Sequence, residues 1–102
     1  MNKRVYIMCA GGMSSSALAR LAQNYFDEKA INLTIEAHSV SLAKKLASET
    51  DLILLAPQVS FMLKNVINDV EDTMVAVIPM MVYGRMQVEN LYQQIESIFN
   101  ND

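Results

Sequence analysis

The chain switches between two rhythms of apolar and polar positions, and each switch marks an element. The run RVYIMC, Arg4 to Cys9, is almost continuously apolar between polar residues and glycines, the pattern of a strand covered on both faces. From Ser14 the spacing becomes helical: Leu18, Leu21, Ala22 and Tyr25 share one side, with Arg20, Gln23, Asn24 and Asp27 on the other. INLTIEA then alternates strictly, Ile31, Leu33, Ile35 and Ala37 against Asn32, Thr34 and Glu36. One wet face makes it an edge strand. Leu42, Ala43, Leu46 and Ala47 predict a second helix with Ser39 or Ser41 as its N-cap. LILLA, Leu52 to Ala56, is wholly apolar and belongs mid-sheet. Pro57 follows at a helix start, where its missing N–H costs nothing, and Val59, Met62, Leu63, Val66 and Ile67 form that helix's buried stripe. MVAVI, Met74 to Ile78, is a fourth strand closed by Pro79. After an irregular piece, PMMVYG, a last helix runs through Val88, Leu91, Tyr92, Ile95 and Phe99.

Regular alternation of strand and helix is the signature of an α/β fold: a parallel sheet with helices on both faces, joined by right-handed crossovers. The alternating second strand takes an edge and the apolar first and third strands the interior. The resulting order is 2-1-3-4, a flavodoxin-like three-layer sandwich. Ligands of such sheets sit outside the carboxyl ends of the strands where the order reverses. Cys9 closes strand 1 and Ala56-Pro57-Gln58 closes strand 3, so both fall at the expected switch point.

Length and composition narrow the function. A chain of 102 residues suits one domain, residues 1–102, with a single core and no linker. With 52% apolar and 19% charged residues it is too hydrophobic for disorder, yet its apolar runs are too short for a membrane span or a signal peptide. The expected compartment is the cytoplasm. A net charge of -3 with eight scattered basic residues argues against nucleic acid as a partner. The single cysteine cannot form an intrachain disulfide, so it is either apolar filler or a reactive group in a reducing compartment.

Its neighbours favour reactivity. The loop Cys9-Ala10-Gly11-Gly12-Met13-Ser14-Ser15 leads from a strand into a helix. A helix start offers unpaired amides and the positive end of the helix dipole, which bind anions and lower a thiol's pKa. The glycines allow a tight turn that aims several amides at one point, as a phosphate requires. The serines add a cap or hydroxyl donors. A thiolate beside such a cradle is a nucleophile able to accept and hold a phosphoryl group. Cysteine phosphatases close a similar loop with an arginine, a place held here by Ser15, and no aspartic acid stands ready to protonate a leaving group. A carrier fits better than a hydrolase. A small phosphatase or arsenate reductase, and a non-catalytic module holding flavin or a nucleotide, stay open as rivals. His38 reads as solvent-facing or capping. Met13, Met80, Met81 and Met86 fall near the expected active face, where methionine makes pliable partner contacts.

Three stretches together carry a family resemblance: Cys9-Ala-Gly-Gly-Met-Ser-Ser-Ser16, Ala56-Pro57-Gln58 and Tyr83-Gly84. In this order and spacing the chain resembles the IIB component of the bacterial sugar phosphotransferase system, lactose/cellobiose/chitobiose class. The resemblance implies that Cys9 takes a phosphoryl group from a phosphohistidine of IIA and passes it to a disaccharide bound by the membrane permease IIC. It implies that Ala10 to Ser15 hold the phosphate with their amides, and that Pro57, Gln58 and Tyr83 shape the rim. It calls for no metal and no cofactor, and it places the protein in the cytoplasm, at the membrane only through IIC. Two positions depart from the family pattern. Ala10 stands where a serine is frequent and Ala56 where a glycine is frequent, which leaves sugar preference open.

Overall fold

The computed structural model describes residues 2–11 and 13–100. Strands β1 (Lys3–Cys9), β2 (Leu33–Ser39), β3 (Leu52–Leu55) and β4 (Met74–Val77) form one parallel sheet in the order β2-β1-β3-β4. The expected order and strand directions hold. The helices are α1 (Met13–Glu28), α2 (Ala43–Leu46), α3 (Leu63–Val70), α4 (Met80–Gly84) and α5 (Val88–Asn100). The step from β1 to β2 runs opposite to the steps from β2 to β3 and β3 to β4. Right-handed crossovers therefore put α1 on one face and α2 with α3 on the other. α5 joins α1, their contact marked by the Phe26 and Tyr92 rings 6.0 Å apart.

The core follows the apolar pattern. Val5, Ile7 and Met8 of β1 and all of Leu52–Leu55 have no exposed surface, and Leu18, Ala22 and Phe26 of α1 close over them with Leu91 and Ile95 of α5. Burying such side chains stabilises a fold by roughly 1.5–3 kcal/mol each.

Three local details differ from the periodicity reading. Leu21, expected on the buried stripe of α1, is half in solvent, because the stripe runs Leu18, Ala22, Phe26 instead. Pro57 opens a 3-10 stretch, Pro57–Met62, broken at Val59 (φ -115°, ψ 19°), before α3 begins. That break rotates the following turn, so Ile67 faces out while Val66 and Val70 face in. The piece after Pro79 is a short helix, α4, because the Tyr83 N–H donates to the Pro79 carbonyl (3.0 Å) and Arg85 N–H to Met81 (3.0 Å). The expected cap is Ser39, whose hydroxyl accepts from Ser41 N–H at the 3-10 turn Val40–Leu42 that precedes α2.

Each edge of the sheet carries a glutamine. On β2, Gln23 of α1 donates to the Leu33 carbonyl (3.1 Å) and to Asp27 (3.0 Å), and accepts from Ile35 N–H (2.9 Å). These main-chain groups are among those that β1 leaves unpaired, since alternate residues of an outer strand point away from the sheet. On β4, Gln94 of α5 donates to the Val77 carbonyl at 2.9 Å, and its Oε1 is buried with no partner among the described residues.

Candidate active site

The site begins where β1 ends. β1 and β3 stay in register to Met8↔Leu55, and Ala56 N–H extends the ladder by donating to the Met8 carbonyl (2.9 Å). Ala56 remains extended (φ -61°, ψ 148°), so Pro57 turns the chain into the 3-10 stretch and delivers Gln58 to the rim beside Cys9. On the other side, β1 pairs with β2 to the end, with Cys9 opposite Ser39.

Cys9 is 7% exposed, and its Sγ lies 3.8 Å from the His38 carbonyl oxygen, within reach as a weak S–H donor. Two hollows open on it. Ala10, Ser14, Gln58 and Tyr83 line one of about 180 Å³ with Cys9. Gly11, Ser16, Ala37, His38 and Ser39 line the other, of about 220 Å³, again with Cys9. Both fall below the ~300–1,000 Å³ of pockets that enclose organic ligands.

Gly11 makes the turn between Cys9 and α1. Its φ is +115°, while a Cβ there would meet nothing within 4 Å. Glycine is needed at this position for its backbone, not for space. α1 starts only two residues later and carries no acidic side chain in its first turn. Its unpaired amides and positive dipole end are left uncompensated by a carboxylate. Among the described residues, neither hollow is lined by Asp, Glu, Lys or Arg. A thiol here can bind a phosphoryl group but lacks, among the described residues, both a guanidinium to drive hydrolysis and a carboxyl to serve as acid.

The expected residues divide by position. Cys9, Ala10, Gly11, Ser14, Gln58 and Tyr83 come together at the hollows. Pro57 sets the turn behind Gln58. Met13 opens α1 almost fully exposed. Ser15 is fully buried in the first turn of α1, its hydroxyl 2.8 Å from the Tyr83 hydroxyl. Gly12 lies outside the described residues. The sequence reading missed the wall formed by Ala37, His38 and Ser39, which meets the sulfur through the His38 carbonyl; only the β1/β2 register could have located it. The His38 ring turns to the other face of the sheet, 4.4 Å from Tyr6, with Nε2 3.1 Å from Glu36 Oε1.

A thiol at the switch point of a flavodoxin-like sheet, beside a helix start without charged side chains, defines a small α/β protein with its one cysteine at the carboxyl ends of the strands. The profile of the PTS system lactose/cellobiose specific IIB subunit family matches residues 4–94, and the chain belongs to that family. It is 29% identical over 101 residues to the PTS system oligo-beta-mannoside-specific EIIB component of Bacillus subtilis (strain 168), covering 97% of this chain and 98% of that one. It is 32% identical over 106 residues to the PTS system galactose-specific EIIB component of Lactococcus lactis subsp. cremoris (strain MG1363), covering 97% and 98%. The solution structure of the cellobiose-specific phosphotransferase IIB component of Borrelia burgdorferi superposes with a TM-score of 0.81 at 30% identity, covering 99% of this chain and 94% of that one. The protein is thus a IIB component of a sugar phosphotransferase system, a phosphotransferase component. No helix among the described residues is long and apolar enough to cross a membrane.

Proposed function

We propose that the protein carries a phosphoryl group on Cys9 between a phosphohistidine of a IIA partner and a disaccharide held by a IIC permease. Cys9 Sγ attacks the phosphorus, the N–P bond of the donor histidine breaks as the S–P bond forms, and the imidazole leaves. In the second step a sugar hydroxyl attacks the phosphorus, the S–P bond breaks, and the hydroxyl's proton passes to the departing sulfur, which returns as the thiol. The loop from Ala10 to Ser15 and the first turn of α1 stabilise the charge on the phosphoryl oxygens, the main catalytic contribution expected of preorganised donors.

One observation carries this reading: Cys9 stands at the end of β1, between two small uncharged hollows and against a helix start with no acidic residue. A carrier must hold its cargo without activating water, and the missing arginine and carboxyl support that restraint. Partner contact has a surface as well. Met13, Leu42, Phe61, Met80 and Met81 are large, exposed and each close after the carboxyl end of a strand. Such pliable apolar contacts suit a protein that meets IIA and IIC in turn. It works at the cytoplasmic side, reaching the membrane only through IIC.

The test is incubation with a phosphorylated IIA donor followed by peptide mass mapping. One phosphoryl group is expected on Cys9 and none in Cys9→Ser. A phosphoryl group on His38, or undiminished uptake in Cys9→Ser, overturns the reading.

A further inference from the structure

Ser15 is fully buried, and no other described residue with a Ser, Thr, Asn, Gln or charged side chain is. Among the described residues its hydrogen-bond partner is the Tyr83 hydroxyl at 2.8 Å, across a separation of 68 residues. The two partners sit at significant places. Ser15 is in the first turn of α1, the turn that faces Cys9, and Tyr83 lines the hollow with Cys9 from α4. Alanine and phenylalanine would fill the same volumes without any polar group to bury. The hydroxyls therefore need an explanation beyond packing.

We infer that Ser15 and Tyr83 are a positioning pair: their hydrogen bond fixes the start of α1 relative to Cys9, so that the helix amides stay aimed at the sulfur and its phosphoryl group. The bond also ties that geometry to α4, whose first residues are the exposed Met80 and Met81. This inference rests on the reading of Cys9 as a thiolate nucleophile facing the helix start. Neither residue touches the reacting atoms through this hydroxyl; both act through α1.

The experiment needs no partner protein. The rate of Cys9 alkylation by iodoacetamide is measured against pH in the full chain and in Tyr83→Phe, Ser15→Ala and the double variant, with cooperative melting confirming that each is folded. Neither substitution removes a charged group. Of the other residues lining either hollow, His38 carries the one imidazole, and it is the same in all four proteins. The parent is expected to show a midpoint below the ordinary thiol value of about 8.5. Each single variant raises it by about half a unit or more, and the double variant goes no further than the larger single effect. A lowered parent midpoint that is unchanged in the variants overturns the inference, as do additive shifts in the double variant. A parent midpoint at the ordinary value instead overturns the thiolate reading on which the inference rests.

Discussion

The two ends of this sheet are made from the same strands and treated in opposite ways. At the amino end, polar side chains are spent on closing turns. Thr50 donates from Oγ1 to the Arg4 (2.9 Å) and Leu52 (3.1 Å) carbonyls, Asp51 accepts from Arg4 N–H (2.8 Å), and Thr73 donates to the Ala47 carbonyl (3.1 Å). At the carboxyl end, a cysteine meets two solvent-open hollows, and methionines and a phenylalanine stand in solvent around it. The amino end is tied down, and the carboxyl end is kept available. Stability and chemistry are therefore assigned to opposite rims, and substitutions should separate them.

The largest effect is expected at Gly11. Gly11→Ala forces a Cβ into a left-handed φ of +115°, which costs about 1–3 kcal/mol and displaces the start of α1. Phosphoryl uptake from a phosphorylated donor should slow by about tenfold to a hundredfold, measured by quenched-flow labelling. Thr50→Val at the other rim removes a hydroxyl that two carbonyls share, the Arg4 carbonyl keeping its bond from Asp51 N–H (2.9 Å), and should cost about 0.5–1.5 kcal/mol in urea unfolding. Uptake should be unaffected; a slowed reaction would show the ends to be coupled. Replacing Met80 and Met81 together by serine should leave stability within about 0.5 kcal/mol. Steady-state transfer should then show a raised KM for the donor and an unchanged kcat.

The smallest effect concerns pH. Burial raises the Tyr6 phenol above its ordinary 10.0, and the hydrogen bond to Glu96 (2.8 Å) does the same for Tyr92. The folded state favours the protonated phenols, so their contribution is complete below the ordinary value and is lost as pH rises past it. Urea midpoints taken at about pH 9 and about pH 11 should differ less in Tyr6→Phe and Tyr92→Phe than in the parent. Tyr92 lines a groove with Ile31, Leu33 and Phe99 at the far end from Cys9. An alkaline loss that follows Cys9 substitutions instead would contradict the division between the rims.

Much of the fold was legible because burial imposes period on sequence. Strict alternation in INLTIEA marked the edge strand, and the unbroken LILLA marked the interior, which together fixed the order of the sheet. The thiol, its glycine turn and the Pro57-Gln58 rim followed from their places at strand ends. What could not be read depends on contacts distant in sequence. Nothing local in Ser15 says that its hydroxyl will meet Tyr83, and nothing in His38 says that its carbonyl will face Cys9. The break at Val59 was hidden because its apolar side chain fits a helical stripe as well as a kink. α4 escaped because five residues, Met80–Gly84 directly after a proline, are too few to show a period.

The glutamines at the sheet edges limit how another molecule can attach. An unpaired strand edge invites a foreign strand to extend the sheet, a mode of binding with many main-chain hydrogen bonds and slow release. Gln23 already occupies Leu33 and Ile35 on one side, and Gln94 occupies Val77 on the other. A visiting strand cannot pair with these groups without evicting a side chain. Lateral annexation is thereby discouraged, and encounters are steered to the carboxyl rim, where contact is made by side chains and comes apart as readily as it forms.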